Sequence, residues 1–318
     1  AIRLLASCAT RSSKGKKPTK RNLKRSQVNR GDGQVIDNAP GDGSTARSVD
    51  SPWVERLLML HRQVRSAVAK SDRAGTGSKN AKGDDVKLFD LAANDAALDV
   101  LREFQQPLIV DSEEGRRQEI GSGTPRHLLV LDPVDGSDNW ARGLPLSALS
   151  CAVLPTDAPL HPDWVEAALV GPLEQDTPLI ALKNSGAWRG NDRLETSKLR
   201  NITEAMISVE LNHHSPSPGL ARLMAAARGV RCYGCASRAI SLVATGATDA
   251  HVDARDRLTA ESYLAAARLV IEAGGWVVGL DGASLAVEES LTNRVSLVAA
   301  SSRELCDEIV EVLRHGEH

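Results

Sequence analysis

The sequence predicts a layered protein of mixed strands and helices, α/β or α+β, and three observations carry that reading. Short apolar runs of strand length alternate with stretches whose apolar residues recur at helical spacing. Hydrophobic residues make up 42% of the 318 residues and charged residues 25%, which supports a packed core and excludes disorder of the bulk. No run approaches the ~18 apolar residues of a membrane-spanning helix. Five Trp, two Tyr and two Phe are all the aromatic residues, so the core must be built from Ala, Val, Leu and Ile.

Taken in order, residues 1–50 form a tail rich in Lys, Arg, Ser, Gly and Asn and are expected to be disordered. Ten of the 39 basic residues lie in 1–31, where there is no acid. Residues 32–318 therefore hold 29 basic against 41 acidic side chains, a net −12 behind an apparent −2. A solvated extension is expected, or translated sequence ahead of a true start, since the chain does not begin with Met. A targeting peptide and weak attraction to nucleic acid stay open as alternatives.

Helical spacing of Val54, Leu57, Leu58, Val64 and Val68 predicts a helix over 53–69, followed by a Gly/Ser/Lys-rich break at 74–84. A second helix is expected over 89–104, with Leu91, Ala92, Leu98 and Leu101 inward. Strands are expected at 107–110, 127–131, 147–154, 166–170, 178–182 and 206–210. Helices follow at 238–245 and 260–273, then a strand at 295–299 and a helix at 302–314. The expected organisation is a tail over 1–50, a metal-binding half over 51–200 and a substrate half over 201–318.

Five cysteines are too few and too odd in number for a disulfide scaffold, so a reducing, cytoplasmic compartment is expected. Cys232 and Cys235 form a C-x-x-C with no second pair, and both read as buried small hydrophobes rather than zinc or redox groups. His213 and His214 adjoin Ser-Pro-Ser-Pro and read as solvated loop residues.

Two acid clusters sit where apolar strands end, Asp111-Ser-Glu113-Glu114 and Asp132-Pro-Val-Asp135-Gly-Ser137-Asp-Asn139. A crevice at strand C-termini is where α/β proteins bind ligands. Crowded carboxylates require a cation, and hard oxygens suit Mg²⁺. Gly136-Ser137 can open a helix whose amides face an anion. Together these features point to metal-assisted phosphoester hydrolysis.

The run Asp132-Pro-Val-Asp135-Gly-Ser137-Asp-Asn139-Trp-Ala-Arg-Gly143-Leu-Pro145 resembles the signature of the inositol monophosphatase/fructose-1,6-bisphosphatase superfamily. The resemblance extends from about residue 53 to the end. It takes in Gly186-Ala-Trp188, Gly234-Cys-Ala236-Ser, Val243-Ala-Thr-Gly246-Ala-Thr-Asp249 and Glu272-Ala-Gly-Gly275. It implies a layered αβαβα sandwich, a homodimer, and a lithium-sensitive phosphomonoesterase acting on an inositol or sugar phosphate with two or three Mg²⁺ ions.

Carried over by position, the resemblance implies that Glu113, Asp132, Asp135 and the Val134 carbonyl hold metal. Glu113 and Ser137 would orient the attacking water, and Asp90 would be an outer acid. Gly136 and Ser137 would bind phosphate, while Cys235, Ala236 and Asp253 would face the substrate. Trp140 is expected to pack, and Lys87 stands where the family often has a small hydroxyl residue.

One position departs from the pattern. Where the family carries a metal-binding Asp, this chain has Ser262, preceded by Glu261. A hydroxyl is a far weaker Mg²⁺ ligand than a carboxylate. Glu261 or substrate phosphate would have to compensate, or the chain is an impaired or non-catalytic relative. A nucleotide 3′-phosphatase is the remaining alternative.

Overall fold

The expected first stripe becomes α1 (Pro52–Lys70), capped by the Ser51 side chain and burying Trp53, Leu57, Leu60, Val64 and Val68. The structure is a computed structural model that describes residues 51–79, 85–287 and 290–314. The expected tail over 1–50 lies outside the described residues.

Part of the expected break is a small antiparallel pair, β1 (Gly75–Lys79) with β2 (Asp85–Lys87). Its sequence lacks apolar alternation because only Val86 is buried; the Thr76 hydroxyl, which donates to the Val86 carbonyl, helps hold it. In α2 (Leu88–Glu103) the inward ladder is Phe89, Ala93, Ala97 and Leu101, one residue every turn. Leu91, expected inward, is instead 40% exposed, because it lies about 200° around the helix from Phe89.

Next come β3 (Leu108–Ser112), β4 (Gln118–Ile120), β5 (His127–Asp135), α3 (Ser137–Arg142) and β6 (Ala148–Pro155). Then follow β7 (Ala167–Pro172), β8 (Leu179–Leu182), β9 (Gly186–Arg189) and β10 (Asp192–Arg193). These strands form an eight-stranded sheet in the order β10-β9-β8-β7-β6-β5-β3-β4. Only β3 and β5 pair in parallel. The remaining elements are β11 (Met206–Val209), α4 (Pro218–Ala226), β12 (Gly229–Arg231), α5 (Ala236–Ala244), β13 (Ala250–Leu258), α6 (Ala260–Glu272), β14 (Trp276–Val278), β15 (Val295–Ala300) and α7 (Arg303–Arg314). A second sheet has the order β12-β11-β13-β15-β14.

Side-chain alternation assigns the layers. Leu129, Leu131, Cys151, Val153 and Leu169 pack with α1 and α2, whereas Leu128, Val130, Ala152, Leu154 and Val170 pack with α5 and α6. The opposite face of the second sheet packs on α4 and α7 through Val252, Val298, Leu220, Leu305 and Ile309. The architecture is thus helix, sheet, helix, sheet, helix. Strands covered on both faces read as continuous apolar runs, which is why β5 to β7 are visible in the sequence. Among the described residues no helix is long and apolar enough to cross a membrane.

Candidate active site

The site begins with a bend at the end of β5. The ladder with β6 pairs Asp132 with Ser150, then shifts register before Asp135 pairs with Ala148. Pro133 falls within the shift and has no N–H to give to a ladder. The Val134 N–H donates to Asp132 Oδ1 at 3.0 Å, so the buried Asp132 braces the bend that follows it. Gly136 then takes φ +78°, and a Cβ there would lie 2.8 Å from Cys235 Cβ. A glycine is therefore needed both to turn the chain and to admit the Cys235 turn. Ser137 opens α3, whose six residues make only a short dipole.

Distant segments close on this bend. The Ser237 N–H donates to Asp135 Oδ2 at 2.6 Å, and the Cys235 thiol lies 3.3 Å from the same oxygen. Burial first, and then the Asp135 charge, pushes the Cys235 thiol well above the usual thiol range, so it stays protonated and donates. Asn139 Nδ2 donates to the carbonyls of Leu146 at 3.0 Å, Tyr233 at 2.7 Å and Gly234 at 3.3 Å. Ala236 begins α5 immediately behind these contacts.

On the other side, the Glu113 N–H donates to the Leu131 carbonyl at 3.0 Å, which carries the end of β3 alongside β5. Asp90, in the first turn of α2, accepts the Lys87 N–H on Oδ2 at 2.9 Å, while its buried Oδ1 has no hydrogen-bond partner. Burial above all pushes its carboxyl up to about 6. The hydrogen bond and charge of Lys87 oppose this, and Glu113 and Asp138 add to it. The Lys87 ammonium donates to Ser137 Oγ at 3.1 Å and pairs with Asp138 Oδ1 at 2.9 Å.

The α6 helix is fixed beneath the bend, since the Ser150 hydroxyl donates to the Glu261 carbonyl at 2.7 Å. The buried Glu261 side chain accepts from Thr259 Oγ1 at 2.7 Å. Its charge is felt by Asp111, whose carboxyl is raised chiefly by burial, lowered by Arg117 and raised again by Glu261. Ser262 is buried one position further on.

Two substrate-side expectations change. Asp253 has no exposed surface, and Arg255 Nε and Nη2 donate to its two oxygens at 2.9 and 2.7 Å. Arg255, not the carboxylate, is the group nearer solvent. Cys232, expected buried, is exposed because it follows β12 at the sheet edge; its Sγ lies 3.6 Å from Glu210 Oε1. Trp140 is half-buried and packs against the core beneath Arg73, and His213 is exposed in the loop after β11.

The donor set suits a divalent cation in part. Asp90, Glu113, Asp132 and Asp135 offer hard oxygens, and Asp90 Oδ1 is sealed without a donor. Where the resemblance implies a further acid, the chain has the hydroxyl of the buried Ser262. Among the described residues no three Asp, Glu, His or Cys side chains already close around one point. Asp135 turns Oδ2 to the Ser237 N–H. A groove of about 660 Å³ lined in part by Lys183, Arg193, Arg268 and Glu272 includes none of these acids.

Comparisons with known proteins agree with this architecture. The chain is 28% identical over 271 residues to the fructose-1,6-bisphosphatase/inositol-1-monophosphatase of Methanothermobacter thermautotrophicus, covering 82% of this chain and 94% of that one. It is 28% identical over 194 residues to inositol monophosphatase 1 of Xenopus laevis, covering 58% of this chain and 64% of the other. Its fold matches that of the extragenic suppressor protein suhB from Bartonella henselae with a TM-score of 0.70 at 22% identity, over 84% of this chain and 100% of that one. The sequence model of the inositol monophosphatase family matches residues 48–317, and the chain belongs to that family.

Proposed function

We propose that the chain is a Mg²⁺-dependent phosphomonoesterase acting on a small polyol phosphate, an inositol or sugar phosphate. Family membership makes phosphoric monoester hydrolysis its chemical class. The observation that supports the reading most is that Asp90, Glu113 and Ser137 neighbour the bend Asp132–Gly136 at the C-terminal ends of β3 and β5. Asp90, Glu113, Asp132, Asp135 and the Val134 carbonyl would hold the metal. When bound, it supplies Lewis-acid stabilisation of the charge on the transferring phosphoryl group.

The chain's own groups do the rest. Glu113 accepts the proton of the attacking water, and the Ser137 hydroxyl orients that water. The amides of Gly136 and Ser137 hold phosphate oxygens. The turn at Cys235 and Ala236, with Arg255 beside Asp253, bounds the polyol.

Phosphate release from inositol-1-phosphate and fructose-1,6-bisphosphate, with and without Mg²⁺, tests the reading. Asp135→Asn is expected to lower Mg²⁺-dependent release by about 100-fold or more, given several kcal/mol of metal stabilisation. Absence of release from a broad phosphomonoester panel would overturn it. A second reading, a slow or non-catalytic member of the family, is favoured by one observation alone, the hydroxyl at Ser262.

A further inference from the structure

We propose that Lys87 is a phosphate-binding residue, a tethered cation that holds the monoester dianion at Ser137 with no divalent ion needed for that binding step. The inference rests on the phosphatase reading of the site and adds a residue to it.

Lys87 is placed by the fold, not by chance rotation. It precedes α2, and its backbone N–H is committed to Asp90 Oδ2 at 2.9 Å. Its ammonium crosses to the end of β5 and stands 3.1 Å from Ser137 Oγ and 2.9 Å from Asp138 Oδ1. The Lys87 side chain is only 12% exposed, whereas that of Asp138 is 85% exposed. An ion pair with so solvated a partner contributes little. A phosphate dianion displaces such a partner readily, because it brings two negative charges to the ammonium against one and takes the Ser137 amide as well.

Electrostatics supports the same role. Without such a cation, an entering phosphate would meet Asp90, Glu113 and Asp138, whose negative fields already overlap.

Calorimetric titration of the full chain with inorganic phosphate in EDTA tests the proposal, with near-ultraviolet circular dichroism confirming each variant's fold. The wild-type chain is expected to bind phosphate. Lys87→Gln should weaken binding by about tenfold or more, and Lys87→Arg by less than about threefold, since a point charge is what is lost. Asp138→Asn should tighten binding, because the ammonium loses a competing anion. Absence of metal-free binding in the wild type, or a smaller loss in Lys87→Gln, overturns the proposal. If Lys87→Gln fails to fold, unchanged affinity in Asp138→Asn overturns it instead. Turnover with Mg²⁺ but no phosphate binding in EDTA would sink the role of Lys87 and leave the phosphatase reading standing. Binding in EDTA without turnover on any substrate would do the reverse.

Discussion

On the proposed reading, Ser262 is the residue on which the catalytic level turns. It is buried at the first turn of α6, beneath the bend that carries Asp132. Its neighbour Glu261 is engaged with Thr259 and within the field of Asp111, so it is not poised as a simple substitute. Ser262→Asp is expected to raise Mg²⁺-dependent turnover by about tenfold or more, at ~1.4 kcal/mol per tenfold, and to tighten Mg²⁺ binding. Steady-state kinetics across a Mg²⁺ series would show it, and unchanged turnover would remove Ser262 as the cause of weakness. The departure at 262 was legible only against the family resemblance, which places an acid there. The partnership of Lys87 with Ser137 and Asp138 was not, because it joins side chains 50 residues apart whose rotamers no local pattern specifies. Asp253 was legible as a polar residue near the substrate side, but its capture by Arg255 two positions along the same strand was not.

At the scale of elements, the packing of α1 on the large sheet depends on one missing side chain. A Cβ on Gly171 in β7 would lie 2.3 Å from His61 Cδ2. His61 cannot yield freely, since its Nε2 lies 3.0 Å from the Pro172 carbonyl, which can only accept. Gly171→Ala is expected to destabilise the chain by about 1–3 kcal/mol, read from the urea midpoint, with the acids of the site unaltered. Elements with apolar faces on both sides, such as β5, β6 and β7, were readable because every position is hydrophobic. The strand β13 was hidden, since His251, Asp253 and Arg255 break any apolar pattern and are held by polar partners within the fold. The pair β1 and β2 was hidden for a related reason, as its one buried residue gives no alternation.

At the scale of the whole molecule, two buried histidines work against the fold in acid, and the raised carboxyls of Asp90 and Asp111 work the other way. Burial pushes both His61 and His251 down to about 4. The unfolded chain takes up these protons below pH ~6.5, while the folded chain resists until pH ~4. Their contribution to stability is therefore fully present above pH ~6.5 and is lost as pH falls toward 4, by roughly 3 kcal/mol each. Asp90, raised to about 6, gains stability over the same fall and offsets part of the loss, so chemical denaturation from pH 7.5 to 4 should show a net loss that shrinks in His61→Gln by roughly one histidine's share. A flat profile over that interval would contradict the assignment. The layered order was legible only through the family resemblance, because the rank of strands in each sheet depends on pairings between remote segments.

The closure of the bend has a consequence in time. Asp135 receives its strongest donor from Ser237, 102 residues later, and Asn139 is anchored to Tyr233, 94 residues later. In a chain made from its N-terminus, the acids emerge long before the turn that completes their surroundings. A product of interrupted synthesis ending before α5 would thus carry all the acids of the bend without the donors that brace them.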